Sequence, residues 1–208
     1  MQITSNSFEH MDPIPERHAF ARPHPEDRFQ FSDNVNPHLA FHDIPGEARS
    51  LVLVCVDGDV PTVGDDVNQE DRTVPADLPR CDFYHWVMVD IHPDTSEIVE
   101  GAYSDGVVAG GKSDPTGPDG SRHGINDFTG WFSGHEQMGG EYRGYDGPAP
   151  PWNDELMHHY RFRLYALNID RCPVDSDFTG HDVVDSIKDH VIAEAEIVGT
   201  YTQNPDLL

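Results

Sequence analysis

Four short runs of apolar and β-branched residues recur along this chain, and clusters of Pro, Gly, Asp and Asn separate them. Runs of this length and composition favour strands over helices. They are SLVLVCV (Ser50–Val56), YHWVMVDI (Tyr84–Ile91), YRFRLYAL (Tyr160–Leu167) and VIAEAEIVGTYT (Val191–Thr202). The sequence therefore predicts a mainly β protein.

One segment near the C-terminus, FTGHDVVDSIKDH, favours a helix. Thr179 can cap its first turn, and the apolar residues that follow, Val183, Val184 and Ile187, repeat at helical spacing. The chain has 208 residues, of which 37% are hydrophobic, and this is enough for one sizeable core. We expect a single domain over residues 1–208.

Two connections are much longer than hairpin loops: Thr62 to Asp82, rich in Asp and Pro, and Ser104 to Gly144, rich in Gly. Connections of this length in a compact domain are usually functional or disordered.

The charge balance is strongly acidic, with 38 Asp and Glu against 13 Lys and Arg and a formal net charge of −25. Long-range repulsion makes nucleic acid and anionic membranes poor partners. Either a solvated acidic surface or adaptation to high internal salt accounts for this composition. No apolar run approaches about eighteen residues, and the N-terminus lacks a signal-peptide pattern, so we expect a soluble, cytoplasmic protein without stable membrane insertion.

The three cysteines, Cys55, Cys81 and Cys172, follow no zinc-like or CxxC spacing. An odd number of cysteines in a chain without a signal peptide favours reduced thiols with a structural role.

Two polar residues, Asp57 and His85, lie at the ends of predicted strands. By strand alternation, Asp57 shares a face with the apolar residues Leu51, Leu53 and Cys55, just before a Gly-Asp-Val-Pro turn. His85 shares a face with Val87, Val89 and Ile91. Asp57 can either stabilise the turn or belong to a functional site. His85 can be either a core residue or a functional one.

His158 and His159 are adjacent on a strand and therefore point to opposite faces. They cannot both ligate one metal ion, and zinc needs three or four converging ligands. We expect no metal site. His158 shares its face with Tyr160 and Phe162.

The order SLVLVCVDGDVP, FYHWVMVDI and YDGPAPPWNDELMHHYRFRLYALN resembles the phosphatidylethanolamine-binding protein family, in particular its bacterial and archaeal Raf kinase inhibitor-like branch. The N-terminal segments SNSFEHMDPIPERHAF and NVNPHLAFHDIPGEARS are similar to the same branch. The resemblance implies a large antiparallel Greek-key sheet packed with a smaller sheet, and one helix near the C-terminus.

The resemblance also implies one small anion-binding pocket and no cofactor. The residues carried over to it are Asp57, Pro61, His85, Gly147, Pro150, Pro151, His158 and Tyr160. Imidazoles, a tyrosine hydroxyl and backbone amides can donate hydrogen bonds to a phosphate, a phosphoethanolamine-like headgroup or a carboxylate. In this interpretation Asp57 orients His85 and keeps it partly protonated, and a cis Val60–Pro61 bond brings Asp57 to the pocket.

Two other functions remain open. An Asp-His pair can serve a general base, so one alternative is a hydrolase or another small-molecule enzyme, although the resemblance implies no nucleophile and hence no catalytic residue. The other is a regulator that binds a protein partner, as kinase-inhibiting family members do. The resemblance also implies a homodimer.

Overall fold

The computed structural model describes residues 1–113, 117 and 120–208, and in these residues it has ten strands and two α-helices. The strands are β1 (Gln2–Thr4), β2 (Ala21–His24), β3 (Arg28–Phe31), β4 (Leu39–His42), β5 (Ser50–Pro61), β6 (Arg80–Ile91), β7 (Glu97–Ile98), β8 (Arg122–His123), β9 (His158–Leu167) and β10 (Val191–Tyr201). The helices are α1 (Phe128–Trp131) and α2 (Gly180–Ile187).

The large sheet is antiparallel, with the strand order β10-β9-β5-β6-β8. A smaller antiparallel sheet has the order β1-β4-β7, and β2 and β3 form a separate hairpin. The four apolar runs of the sequence are the four long strands of the large sheet. The predicted mainly β fold, with a smaller sheet and a helix near the C-terminus, is confirmed.

The central strands β5 and β6 of the large sheet are buried on both faces over most of their length, which explains why they read as nearly continuous apolar runs. One face, which includes Trp86, packs against the smaller sheet through Phe41 and its neighbours. The opposite face, which includes Val87, packs against Val183 and Ile187 of α2. The core therefore has two layers, with the large sheet between them.

Helix α2 begins where the sequence predicts. The Thr179 Oγ1 accepts a hydrogen bond from the Asp182 amide (3.3 Å), and the Asp182 carboxylate accepts one from the Thr179 amide (2.9 Å). This capping box satisfies two backbone N–H groups at the helix start. Helix α1 is a single turn within the second long connection, and the sequence did not predict it.

The cap supplies a first prediction about stability. Thr179→Ala should lower the free energy of unfolding by about 1 kcal/mol, because the substitution leaves an N–H group of the first turn without its side-chain acceptor. Urea denaturation measures the change. Thr179→Ser is the control, since serine keeps the hydroxyl, and an equal loss in both variants would show that the cap contributes little.

The cis Val60–Pro61 bond expected from the family resemblance is wrong, because this bond is trans. The expected turn at Gly58–Pro61 is also wrong, because the chain does not reverse its direction there. Strand β5 continues through Pro61, which still lies opposite Arg80 of β6, and the register shifts between Asp57 and Val60. An irregularity within a continuous strand, rather than a reversal, carries the chain past the site.

The two long connections pack onto the body of the protein. In the first, the Asn153 Nδ2 donates to the carbonyl oxygens of Asp66, Gln69 and Arg72. The second contains β8 and α1, and its residues 114–116 and 118–119 lie outside the described residues.

All three cysteines are free thiols, with Cys55 and Cys172 buried. Across the described ranges, no helix has the length and apolar character needed to span a membrane.

Candidate functional site

A cavity of about 490 Å³ opens where β5, β6 and β9 carry their polar residues. Its floor includes Asp57, His85, His158 and Tyr160, and its walls include several phenylalanine rings and Trp131 beside aliphatic and polar residues. All the residues expected at the site line this cavity except Gly147, so Pro61, Pro150 and Pro151 are also there. The structure therefore brings together side chains that lie up to about a hundred residues apart in the sequence.

Gly147 has a structural role. Its amide N–H donates to the Asn34 Oδ1 (2.8 Å), so this amide is not free for a ligand. A Cβ at this position would lie 1.9 Å from the His18 carbonyl oxygen. Close backbone packing therefore requires glycine here, and Gly147 is not among the residues that line the cavity.

His85 reaches the cavity because it is the extra residue of a β-bulge. Cys55 pairs with Trp86 and Val56 pairs with Tyr84, so His85 has no partner on β5. A bulge interrupts the alternation of side chains and redirects one of them. His85 consequently packs against the Tyr160 ring, 5.1 Å between centroids. The expected face shared with Val87 and Val89 is wrong for this reason, whereas Ile91 does pack in the same layer as Tyr160, after a second register shift in β6.

The unpaired backbone of His85 bonds to Asp146 instead. The Asp146 amide donates to the His85 carbonyl oxygen (3.0 Å), and the His85 Nδ1 donates to the Asp146 carbonyl oxygen (2.8 Å). A carbonyl only accepts, so Nδ1 carries the proton and Nε2 holds the lone pair of the neutral ring. Burial lowers the pKa of His85, and the nearby charge of Asp57 opposes this only in part.

Asp57 supports His158 and not His85, contrary to the expectation. The His158 Nδ1 donates to the Asp57 Oδ2 (2.7 Å), and the His158 Nε2 donates to the Asp154 Oδ2 (3.2 Å). Burial disfavours the charged ring, but the two carboxylates outweigh it and raise the pKa of His158 to about 9. His158 is therefore an imidazolium whose ring nitrogens are both occupied, and it has no donor left for an anion.

Arg80 completes this buried ionic network. Its guanidinium donates to both oxygens of the Asp154 carboxylate, at 2.7 and 3.1 Å. Two cations and two carboxylates then alternate in the order Arg80, Asp154, His158, Asp57. The charges balance, so the network adds no net negative charge beside the cavity.

The hydroxyl group of Tyr160 is buried and has no hydrogen-bond partner in good geometry within the described part of the chain. Burial, together with the charge of Asp57, raises the pKa of this phenol well above its usual value. Tyr160 therefore remains protonated, and its hydroxyl is a donor that interacts with the Asp57 carboxylate and lies beside His85.

A second buried network lies behind His85. The Asp146 carboxylate is completely buried and accepts from the Lys112 Nζ (2.6 Å), the Asn34 Nδ2 (2.8 Å) and the Asn126 Nδ2 (2.8 Å). Burial raises the pKa of Asp146, and Lys112 is the first of the groups that oppose this rise. Because the backbone of Asp146 holds His85, this network fixes the position of the imidazole.

Sequence reasoning named Asp57 and His158 but missed the other residues of the two networks, which are Arg80, Asp154, Lys112, Asp146, Asn34 and Asn126. Asp154 alone had a usable signal, since it precedes His158 by four residues just before a strand. The other residues come from loops and strand ends, where hydrophobic periodicity carries no information about partners.

The large sheet and the cavity at β5, β6 and β9 together indicate the class of protein. The family model for phosphatidylethanolamine-binding protein matches residues 4–202, nearly the whole described fold. The chain belongs to the phosphatidylethanolamine-binding protein family.

Individual relatives place it in the bacterial and archaeal branch of that family. YbhB, a UPF0098 protein of Escherichia coli, is 30% identical over 202 residues, which cover 97% of this chain and all of YbhB. A UPF0098 protein of Methanothermobacter thermautotrophicus is 30% identical over 201 residues, 97% of this chain and 98% of that relative.

Solved structures of the family share the fold. YbcL of Escherichia coli superposes with a TM-score of 0.69 at 26% identity and covers 97% of both chains. CT736 of Chlamydia trachomatis has a TM-score of 0.64 at 26% identity and covers 96% of this chain and 95% of its own.

Proposed function

We propose that this protein binds a small anionic molecule, such as a phosphate ester or a carboxylate, at the floor of the cavity. The observation that carries the proposal is the environment of His85. This buried imidazole lines the cavity, and a backbone carbonyl occupies its Nδ1, which leaves Nε2 as the ring nitrogen for a ligand.

The protonation state of His85 determines how it would bind an anion. Burial lowers its pKa, so the ring is neutral near neutral pH and Nε2 is an acceptor. An anion at Nε2 needs a donor there, and the protonated ring supplies the strongest one. Binding of an anion that carries no proton is therefore coupled to proton uptake by His85, and its affinity should rise as the pH falls.

The surroundings of His85 are compatible with an anion despite the acidity of the chain. The ionic network of Asp57, His158, Asp154 and Arg80 is charge-balanced, and the Tyr160 hydroxyl is a neutral donor nearby. Long-range repulsion slows encounter, but contacts in a desolvated site decide affinity. The family name suggests phosphorylated headgroups, such as phosphoethanolamine, as specific candidates.

Sulfate is a suitable probe, because it has the shape of phosphate but does not titrate near neutral pH. We expect wild-type protein to bind sulfate more tightly at about pH 6 than at about pH 8. His85→Ala should lower the affinity about tenfold or more at the lower pH, since one charge-assisted hydrogen bond is lost. Isothermal titration calorimetry measures both effects.

His159→Ala is the control, because His159 lies on the same strand as His158 but outside the residues that line the cavity. It should retain the affinity and the pH dependence of the wild type. Unchanged sulfate binding in His85→Ala would show that the anion binds elsewhere and would contradict the proposal.

A further inference from the structure

The exposed aromatic side chains of the described residues are concentrated at the cavity. Phe29, Phe31 and Trp131 expose 41%, 51% and 51% of their surface, and all three line the cavity. The other exposed large hydrophobic residues within the described ranges have no ring: Met11, Val63, Val99, Val108, Leu207 and Leu208. Exposed apolar surface that clusters around one opening is typical of a binding site.

Of these three rings, Phe31 continues a packed aromatic array that begins at His85. The Phe128 ring meets His85 edge to face (5.4 Å, 79°) and stacks on Phe20 (4.5 Å, 20°). Phe83 meets Phe128 edge to face (5.2 Å, 83°), and Phe31 meets Phe20 in the same way (5.6 Å, 84°). One part of the wall above the polar floor therefore consists of rings in the geometries that aromatic pairs prefer.

The size of the cavity exceeds what a simple anion needs. Its volume of about 490 Å³ lies within the range of about 300–1,000 Å³ that is typical of small-molecule sites. A tetrahedral anion at His85 would leave most of this volume, and the exposed rings, in contact with water. A ligand that fills the site must carry an apolar body joined to its anionic group.

We propose that the natural ligand is an aromatic acid, with its anionic group at His85 and a flat ring against Phe31 and Trp131. This inference rests on the proposed function and specifies its ligand class. A flat ring fits better than an alkyl group, because ring pairs gain stabilisation beyond the area they bury. That gain corresponds to about a two- to tenfold difference in affinity.

Phenyl phosphate, cyclohexyl phosphate and inorganic phosphate test the proposal. The first two have the same number of carbon atoms, and only the phenyl group is flat and aromatic. We expect calorimetry on the wild type to rank phenyl phosphate above cyclohexyl phosphate by about two- to tenfold, with inorganic phosphate weakest. In Phe31→Leu/Trp131→Leu the preference for phenyl should disappear, because leucine keeps apolar area but removes the ring.

Val99→Ala is the control, since Val99 is 58% exposed and does not line the cavity; it should keep the wild-type ranking. Equal affinities for the phenyl and cyclohexyl esters would overturn the assignment of an aromatic ligand. Equal affinities for all three compounds would show that the cavity walls do not contact the ligand. That result would overturn the aromatic ligand but leave the proposed anion site intact. No binding, or binding unaffected by His85→Ala, would overturn the proposed function as well.

Discussion

Replacing His158 with alanine should lower the free energy of unfolding by about 3–5 kcal/mol. The substitution leaves Asp57 without its imidazolium partner and removes one of the donors to Asp154, and both carboxylates are buried. A carboxylate that is buried without its partner is far more costly than an intact ion pair is stabilising. Chemical denaturation near neutral pH measures the loss.

The same substitution should change how stability depends on pH. The folded-state pKa of His158 is raised from 6.5 to about 9. Its contribution is therefore fully present below pH 6.5 and is lost as the pH rises through about 9. The shift corresponds to about 3 kcal/mol. The difference in stability between wild type and variant should narrow by this amount across that window.

His159 offers a matched control, since it is the next residue and also pairs with an aspartate, with its Nδ1 at 2.9 Å from the Asp59 Oδ2. About a third of its side chain is exposed, so His159→Ala should cost no more than about 1 kcal/mol. A similar small loss in both variants would show that the buried network does not hold a charged His158.

Lys112→Met should cost about 3 kcal/mol or more, for a related reason. The variant leaves the buried Asp146 carboxylate with only the amide groups of Asn34 and Asn126 as partners. Burial already raises the pKa of Asp146, and without Lys112 the pKa should rise further. A raised carboxyl pKa favours folding of the protonated form, so the loss should shrink at acidic pH, where Asp146 is neutral.

The only other lysine in the sequence provides the control. Lys188 pairs with Asp185 at 2.7 Å on the surface, and Lys188→Met should change stability by less than about 1 kcal/mol. Because Asp146 positions His85, Lys112→Met should also weaken sulfate binding, whereas Lys188→Met should not. Equal stability of the two variants would contradict the structural importance of the Lys112–Asp146 pair.

The two networks give the two histidines opposite roles. His158 bonds to two carboxylates and is charged, whereas His85 bonds to a backbone carbonyl and is neutral near neutral pH. The sequence alone does not distinguish the two histidines, since each lies near the start of a predicted strand beside aromatic residues. Only the partners that the tertiary structure supplies distinguish a structural imidazolium from a ring that is free to take up a proton.

Local patterns in the sequence were sufficient to predict the main strands and the C-terminal helix of the fold. The apolar runs predicted the four long strands of the large sheet, and alternation along β9 correctly placed His158, Tyr160 and Phe162 on one face. The capping residue Thr179 predicted where α2 begins. These predictions succeeded because apolar runs, side-chain alternation and helix caps are all properties of residues that are close together in the sequence.

The sequence by itself therefore determined the β class, the long strands, the C-terminal helix and, through motif resemblance, the polar residues at the floor of the cavity. Only the tertiary structure decided the bulge that turns His85 toward the cavity, the pairing of Asp57 with His158, and the network around Asp146. Asp57 and His158 are 101 residues apart, and Lys112 and Asp146 are 34 apart. Strand register and loop packing create these contacts, and neither leaves a periodic trace in the residues that make them.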